Sequence, residues 1–282
     1  MSWKKDGGSV AWGKNEDKSS FPRIRWNNGM KKGRFAEPGC FYGKAEQLGE
    51  CPENWTESNL FPNEVGYQSP AIALVPIIKR TQPFTVSADG VTTWYKHYER
   101  DKGMKLYTET VCLLRGYNSP VILTTKGWIA GRINGVKNSV YADHMEYVVK
   151  PANAQAEKPL PQWAFWIEFG GLYEKGNPVH VEVGTGQQKT ALHDVVLYGV
   201  KGNQVLYGMK DAATEEQIDR LFIGTELFTT AAALRDELVT SGWAHERRGN
   251  LGDEPEQDKP QKNVPKVYTP DPGAAFDDES PY

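Results

Sequence analysis

Aromatic and basic side chains alternate in the segment VTTWYKHYER, residues 91–100. In a β-strand every second side chain points to the same face, which here would group Trp94, Lys96, Tyr98 and Arg100. Such a face suits a single strand of nucleic acid, because bases stack on aromatic rings while cations neutralise the phosphates. The alternative is that the rings face the core and only the cationic ends of the lysine and arginine reach solvent. This segment alone leaves both interpretations open.

Two further segments combine the same residue types. LTTKGWIAGRING brings Lys126, Trp128 and Arg132 close together in sequence. Near the N-terminus, SFPRIRWNNGMKKGRF contains a second such group: Arg23, Arg25 and Trp26. The repetition favours a nucleic-acid-binding surface, and all ten of these aromatic and basic residues are candidates for it.

Motifs for catalysis or metal binding are not evident. No GxSxG, HExxH, P-loop or GxGxxG pattern is present, and the three cysteines, Cys40, Cys51 and Cys112, have irregular spacing that favours free thiols. Asp143 and His144 are adjacent, which on a strand would point them to opposite faces. We therefore predict a binding protein without cofactor or metal, although an enzyme with an unrecognised site remains the open alternative.

The elements expected to carry these residues are mostly strands. From about residue 70, short β-rich runs are separated by turn signals such as Asp89-Gly90 and Gly202-Asn203, a pattern typical of a closed barrel or a sandwich. The segment 150–162, rich in alanine and proline, is expected to be a long loop. Helices are expected only near 214–241, beginning with a capping box formed by Thr214 and Gln217.

Composition and charge divide the chain into three regions. Residues 1–35 carry nine lysines and arginines against three acidic residues, which predicts a basic arm, either flexible or an ordered part of a binding groove. Residues 36–249 form the predicted β-rich nucleic-acid-binding domain, since 39% of the chain is hydrophobic and can supply a core. Residues 250–282 contain eight acidic residues against three lysines and are expected to be a disordered tail.

The chain ends in PDPGAAFDDESPY, an acidic run followed by proline and an aromatic residue. This ending resembles the C-terminal tip of single-stranded DNA-binding proteins from bacteria and their phages, through Asp277, Asp278, Glu279, Pro281 and Tyr282. The resemblance implies an OB-fold domain and a tail that recruits replication or recombination proteins. Tyrosine stands where that family usually has phenylalanine, and the folded part is longer than the family's minimal barrel, which favours a diverged phage or plasmid version.

The prediction from sequence is therefore a mainly β protein, an OB-like barrel or alternatively a β-sandwich, with a C-terminal helical pair. It would coat single-stranded DNA without sequence preference in the cytoplasm of a bacterium or of a phage-infected cell. RNA as the ligand and a homo-oligomeric state are left open, and no membrane association is expected because no long apolar run is present. The alternative is a phage structural or polymerase-binding regulatory protein without nucleic-acid binding.

Overall fold

The computed structural model describes residues 21–27, 30–31, 34–35, 39–61, 64–136, 139–171, 173–174, 177–178, 180–183, 187–190, 199–201, 204–206 and 211–245. The N-terminal residues 1–20 and the predicted tail, residues 250–282, lie outside these ranges. Seventeen strands occur in the described part. They are β1 (Arg23–Asn27), β2 (Met30–Lys31), β3 (Arg34–Phe35), β4 (Cys40–Lys44), β5 (Thr56–Phe61), β6 (Glu64–Ser69), β7 (Ala71–Val86), β8 (Thr92–Trp94), β9 (Lys105–Leu114), β10 (Pro120–Lys126), β11 (Ile167–Gly170), β12 (Tyr173–Glu174), β13 (Asn177–Pro178), β14 (His180–Val183), β15 (Gln187–Thr190), β16 (Gly199–Lys201) and β17 (Gln204–Leu206).

The helices are fewer and mostly short. The α-helices are α1 (Ala45–Leu48), α2 (Trp128–Asn134), α3 (Val140–His144), α4 (Lys150–Gln155), α5 (Glu215–Leu221) and α6 (Thr225–Thr240). A π-helix, Met145–Val149, joins α3 to α4, and 3₁₀ turns occupy Arg100–Lys102, Gln162–Ala164 and Trp243–His245. Within these elements, no helix combines the length and the apolar character needed to cross a lipid bilayer.

A mixed sheet of nine strands organises the chain. Its order is β11-β7-β9-β10-β1-β4-β6-β5, and β8 pairs with the end of β7. The pair β1 and β10 is parallel, and the other pairs are antiparallel. The expected mainly β character is confirmed, but among the described residues the sheet does not close into a barrel.

Strand β7 shows how local chemistry shapes the sheet. Its sequence, AIALVPIIKRTQPFTV, supplies the β-branched residues that favour a pleated surface. Pro76 has no backbone N–H to donate, and the pairing with β9 shifts register between Pro76 and Ile78, as expected for a bulge. The predicted turn after β7 is present, with Gly90 at φ 85° between Val86 and its neighbour strand β8.

Two expectations about local structure were wrong. Helices were expected only near 214–241, but WIAGRIN forms helix α2, which buries Ile129 and Ile133, spaced one turn apart. The predicted loop 150–162 begins with α4, which continues the helical stretch that starts at Val140. The helices predicted near 214–241 are present as α5 and α6, and Thr214 and Gln217 form the expected capping box.

Candidate nucleic-acid interface

Alternation along the central strands gives the sheet two chemically different faces. In β1, Ile24 and Trp26 are buried in the largest hydrophobic cluster together with Leu123 of β10. Their neighbours Arg23 and Arg25 point to the opposite face. We call the first the core face and the second the mixed face, because the latter carries charged, aromatic and apolar side chains.

One part of the mixed face is covered. Helix α6 and Trp243 pack over Val75, Val111 and Ile122 there. Beside this cluster lies Glu109, only 1% exposed, which forms ion pairs with Arg23 and with Arg80, the latter at 2.8 Å between Nε and Oε2.

Arg80, the second arginine of this ion-pair network, also contacts the 3₁₀ turn Trp243–His245. The Arg80 guanidinium carbon lies 4.3 Å from the centre of the Trp243 ring, and Arg80 Nη1 donates a hydrogen bond to the Trp243 carbonyl at 3.3 Å. Because a buried carboxylate must be paired, Arg23 and Arg80 have a structural task. Arg23, a predicted DNA contact, is therefore engaged inside the protein.

The other part of the mixed face has an arginine in a different setting. The exposed Arg25 lies over two aromatic rings, with its guanidinium carbon 4.9 Å from the Phe61 ring centre and 5.5 Å from that of Tyr42. Tyr42 is fixed beneath it, since its hydroxyl donates to Glu64 at 2.6 Å, and Lys44 forms an ion pair with the same glutamate at 2.6 Å. Among the described residues, Arg25 itself forms no ion pair. Its charge is therefore oriented by the rings, and Glu64, the carboxylate that interacts with it electrostatically, is bonded to Lys44 and Tyr42 instead.

Hydrogen bonding and burial keep the supporting phenol neutral. Burial, and to a lesser degree the hydrogen bond with Glu64, raise the pKa of Tyr42. The Lys44 ammonium and the Tyr42 hydroxyl hold the pKa of Glu64 below its usual range. Gly66 is required here, because a Cβ at that position would lie 2.4 Å from the Tyr42 ring. The platform below Arg25 is thus held from several sides.

Lys126 adds a second cation near Arg25. It is exposed at the end of β10, two residues beyond Thr124, which pairs with Arg25. Strand spacing and rise place the Cα atoms of Arg25 and Lys126 about 8 Å apart. Both cations can therefore contact the same strand of a polyanion.

Trp94 lies on the side of Lys126 that faces away from Arg25. It is half-buried, with its ring 5.5 Å from Phe84 and 5.4 Å from Tyr107, and Tyr107 is directly opposite Lys126 in the sheet. We define the open surface as Arg25, Phe61, Trp94, Tyr107 and Lys126; Tyr42, only 1% exposed, supports Arg25 from beneath and does not belong to it. The open surface combines rings and cations on one sheet face, as expected for a surface that binds a single strand.

The alternation predicted beyond Trp94 does not exist. Strand β8 ends at Trp94, residues 96 and 97 form a bend, and Arg100 begins a 3₁₀ turn. Lys96 and Tyr98 are exposed, the latter by 47%, but they are not members of a common strand face with Trp94. The strand was expected to continue because its alternating pattern does. Its last backbone contact with β7 is the hydrogen bond from Tyr95 N–H to the Pro83 carbonyl at 3.0 Å, and Pro83 has no N–H to donate in return.

Three other candidates lie on the core side of the sheet. Trp26 is 8% exposed and packs edge-on against Phe41, with ring centres 4.9 Å apart. Trp128 and Arg132 are one turn apart on α2, and Trp128 packs against the main core cluster. The sheet therefore separates these residues from Arg25 and Lys126, although the sequence groups them.

Sequence reasoning missed two residues of the open surface, Phe61 and Tyr107, and the buried Tyr42 that supports Arg25. Tyr42 and Phe61 reach Arg25 only through pairing of distant strands, so no local pattern signals them. Tyr107 could have been found, because in KLYTET the polar and aromatic Lys105, Tyr107 and Glu109 share one strand face, opposite Leu106, Thr108 and Thr110.

The catalytic alternative gains no site among the described residues. His144 is buried in α3, and burial lowers its pKa to about 3, so the imidazole is neutral near pH 7. Its neighbour Asp143 has a pKa raised by burial, against a smaller opposing effect of Arg132. All three cysteines are free thiols, and within the described ranges no three metal-ligating side chains come together.

Comparison of the chain with protein-family models, with curated proteins and with solved structures gives no match. The predicted tail contacts, Asp277, Asp278, Glu279, Pro281 and Tyr282, lie outside the described residues.

Proposed function

We propose that this protein binds single-stranded DNA without sequence preference, through the open surface of its mixed sheet. The observation that supports this most is the exposed Arg25 guanidinium, oriented by Phe61 and Tyr42 and without an ion-pair partner among the described residues. A cation held in this way has lost part of its conformational freedom before it binds, which lowers the cost of binding a phosphate.

The mechanism combines charge neutralisation with stacking. Arg25 and Lys126 contact successive phosphates, and the aromatic group around Trp94 receives a base, which contributes about 1–3 kcal/mol per stacked base. Neither contact reads the edge of a base, so the affinity depends little on sequence. The protein acts by binding and not by catalysis.

The acidic C-terminal tip has a separate role in this proposal. Residues 277–282 bind replication or recombination proteins, with Tyr282 as the aromatic anchor and the acidic residues as its charged surroundings. This part rests on the sequence resemblance alone. The same resemblance underlies the proposed OB-like architecture, with a sandwich as alternative, and the proposed setting in a bacterial or phage-infected cytoplasm.

A titration with labelled oligonucleotides tests the binding proposal. Fluorescence anisotropy is measured with oligo-dT, oligo-U and duplex DNA for the wild type, for Arg25→Gln and for Arg235→Gln, a matched exposed arginine on α6. We expect single strands to bind more tightly than duplex, and Arg25→Gln alone to weaken that binding. A preference for oligo-U would assign RNA as the ligand, and no binding to either single strand would remove the proposal.

One observation favours the second candidate, a phage structural or polymerase-binding regulatory protein that does not bind nucleic acid. Of the seven tryptophans in the described ranges, three are buried and four are half-buried, so the expected fully exposed rings are not found there. In this alternative the aromatic residues serve the core and Arg25 serves solubility. The same titration separates the two candidates, because this alternative predicts no binding of any oligonucleotide.

A further inference from the structure

A second arginine–aromatic stack lies at the opposite end of the mixed face. Arg115 follows directly after β9, and its guanidinium carbon lies 4.7 Å from the centre of the Trp166 ring. Its Nη1 forms an ion pair with Glu168 of β11, a side chain that is only 3% exposed. Arg220 of α5 approaches the same carboxylate, with Nη2 3.9 Å from Oε2. We call Arg115, Trp166, Glu168 and Arg220 the Arg115 cluster.

The charges in this cluster do not balance. Two guanidinium groups share one carboxylate, and their side chains remain 42% and 44% exposed, whereas the carboxylate is buried. Each guanidinium has five N–H donors, of which the described contacts use few. Counted over its own four residues, the cluster therefore carries a net positive charge and unused donors that face solvent, with Arg115 held from below by Glu168 and Trp166.

The covered network around Glu109 shows what a purely structural arrangement looks like in the same protein. There, Arg80 is 11% exposed and lies beneath Trp243. Arg115 uses the same kinds of contact, a buried glutamate and a tryptophan ring, and Arg220 shares the glutamate, but both keep nearly half of their side-chain surface accessible. This difference indicates that Arg115 and Arg220 can bind an anion from solvent.

We propose that the Arg115 cluster is a second phosphate contact for the nucleic-acid strand that binds the open surface. This inference rests on the proposed function. Arg25 pairs with Thr124 of β10, and Thr124 pairs with Glu109 of β9. Because Arg115 follows Glu109 by six residues, the two sites are about 20 Å apart. Helix α6 and Trp243 pack over the face between them. Only a long ligand reaches both sites, and the protein therefore discriminates long single strands from short ones.

The test compares two lengths of oligo-dT, of about 4 and about 16 nucleotides, the limits of the site sizes seen for one single-strand-binding domain. Arg220→Gln is the main variant because Arg220 is exposed and Arg115 still pairs with Glu168. We expect it to weaken binding of the long oligonucleotide by about fivefold to tenfold and to leave the short one unchanged. Arg115→Gln should have the same pattern, with circular dichroism to confirm that each variant is folded.

Two further variants distinguish failure of this inference from failure of the proposed function. Arg25→Gln should weaken binding of both lengths, and Arg132→Gln, on helix α2 at the core side of the sheet, should change neither. If Arg25→Gln behaves so but Arg220→Gln leaves the long oligonucleotide unaffected, or weakens both lengths equally, the second contact is wrong and the open surface stands. If Arg25→Gln affects neither length, the proposed function itself is wrong.

Discussion

Arg80 and Arg25 lie on the same face of the same sheet, and both rest on aromatic rings. Arg80 is 11% exposed, bonded to Glu109 and capped by Trp243, whereas Arg25 is exposed and without an ion pair among the described residues. The same pairing of guanidinium and ring thus holds the C-terminal turn to the sheet in one case and orients a charge toward solvent in the other. The deciding features are the buried carboxylate and the cover, not the stack itself.

The largest effect on the free energy of unfolding is expected from Glu109, the carboxylate in the covered part of the mixed face. Glu109→Ala leaves two arginines without their buried partner, and loss of one member of a buried ion pair costs about 3–5 kcal/mol. Chemical denaturation should show a decrease of that size in the free energy of unfolding. Glu146→Ala, which removes an exposed pair with Lys150, should change it by about 0.5 kcal/mol or less. Similar effects of the two variants would mean that Glu109 is not the centre of a structural network.

Two tryptophans on opposite faces sharpen the comparison. Trp26→Ala removes a ring from the main core and should lower the free energy of unfolding by about 3–5 kcal/mol. Trp94→Ala, at the half-buried end of β8, should lower it by less. Thermal or chemical denaturation of both variants checks this order, and a larger loss for Trp94 would move that ring from the binding surface into the core.

For binding of oligo-dT, loss of the Trp94 ring on the mixed face should matter more than loss of a ring on the core side. Trp94→Ala is expected to weaken binding of oligo-dT by about 1–3 kcal/mol, because a stacked base loses its platform. Trp128→Ala, whose ring packs on the core side, should weaken it much less. Anisotropy titrations at one salt concentration provide the measurement, and equal losses for the two variants would show that the two sides of the sheet do not differ in function.

A smaller effect is expected from the acidic tail. If its charges compete with phosphates for the open surface, deleting residues 277–282 should strengthen binding of oligo-dT severalfold at low salt and little at high salt, where screening is strong. Tyr282→Ala should leave that affinity unchanged and abolish co-purification of a replication protein. Equal affinity of full-length and truncated protein at low salt would exclude the competition.

Local patterns predicted much of the fold, and nonlocal contacts explain what they missed. The strand at Lys105–Leu114, the turn at Asp89-Gly90 and the cap at Thr214 depend on neighbouring residues and are present as expected. Helix α2 was missed because Gly131 and the Asn134-Gly135 pair weaken its helical pattern, although Ile129 and Ile133 are spaced for one buried helical face.

The candidate site was less predictable for the same reason. The alternation in RIRW already placed Trp26 opposite Arg25, and this signal could have separated them. By contrast, Arg23 meets its partner Glu109 across 86 residues of sequence, and Arg25 meets Phe61 through three strand pairings. Whether an arginine is neutralised or free therefore depends on the assembled sheet.

The salt dependence of oligo-dT binding tests the central claim most directly. Each neutralised phosphate contributes about −0.7 to the slope of log affinity against log salt for a single strand. If Arg25 and Lys126 contact phosphates, the double variant Arg25→Gln, Lys126→Gln should reduce the magnitude of the slope by about 1.4, and Arg235→Gln with Lys158→Gln should leave it unchanged. Binding of oligo-dT with the same slope in the first double variant and the wild type would contradict the account.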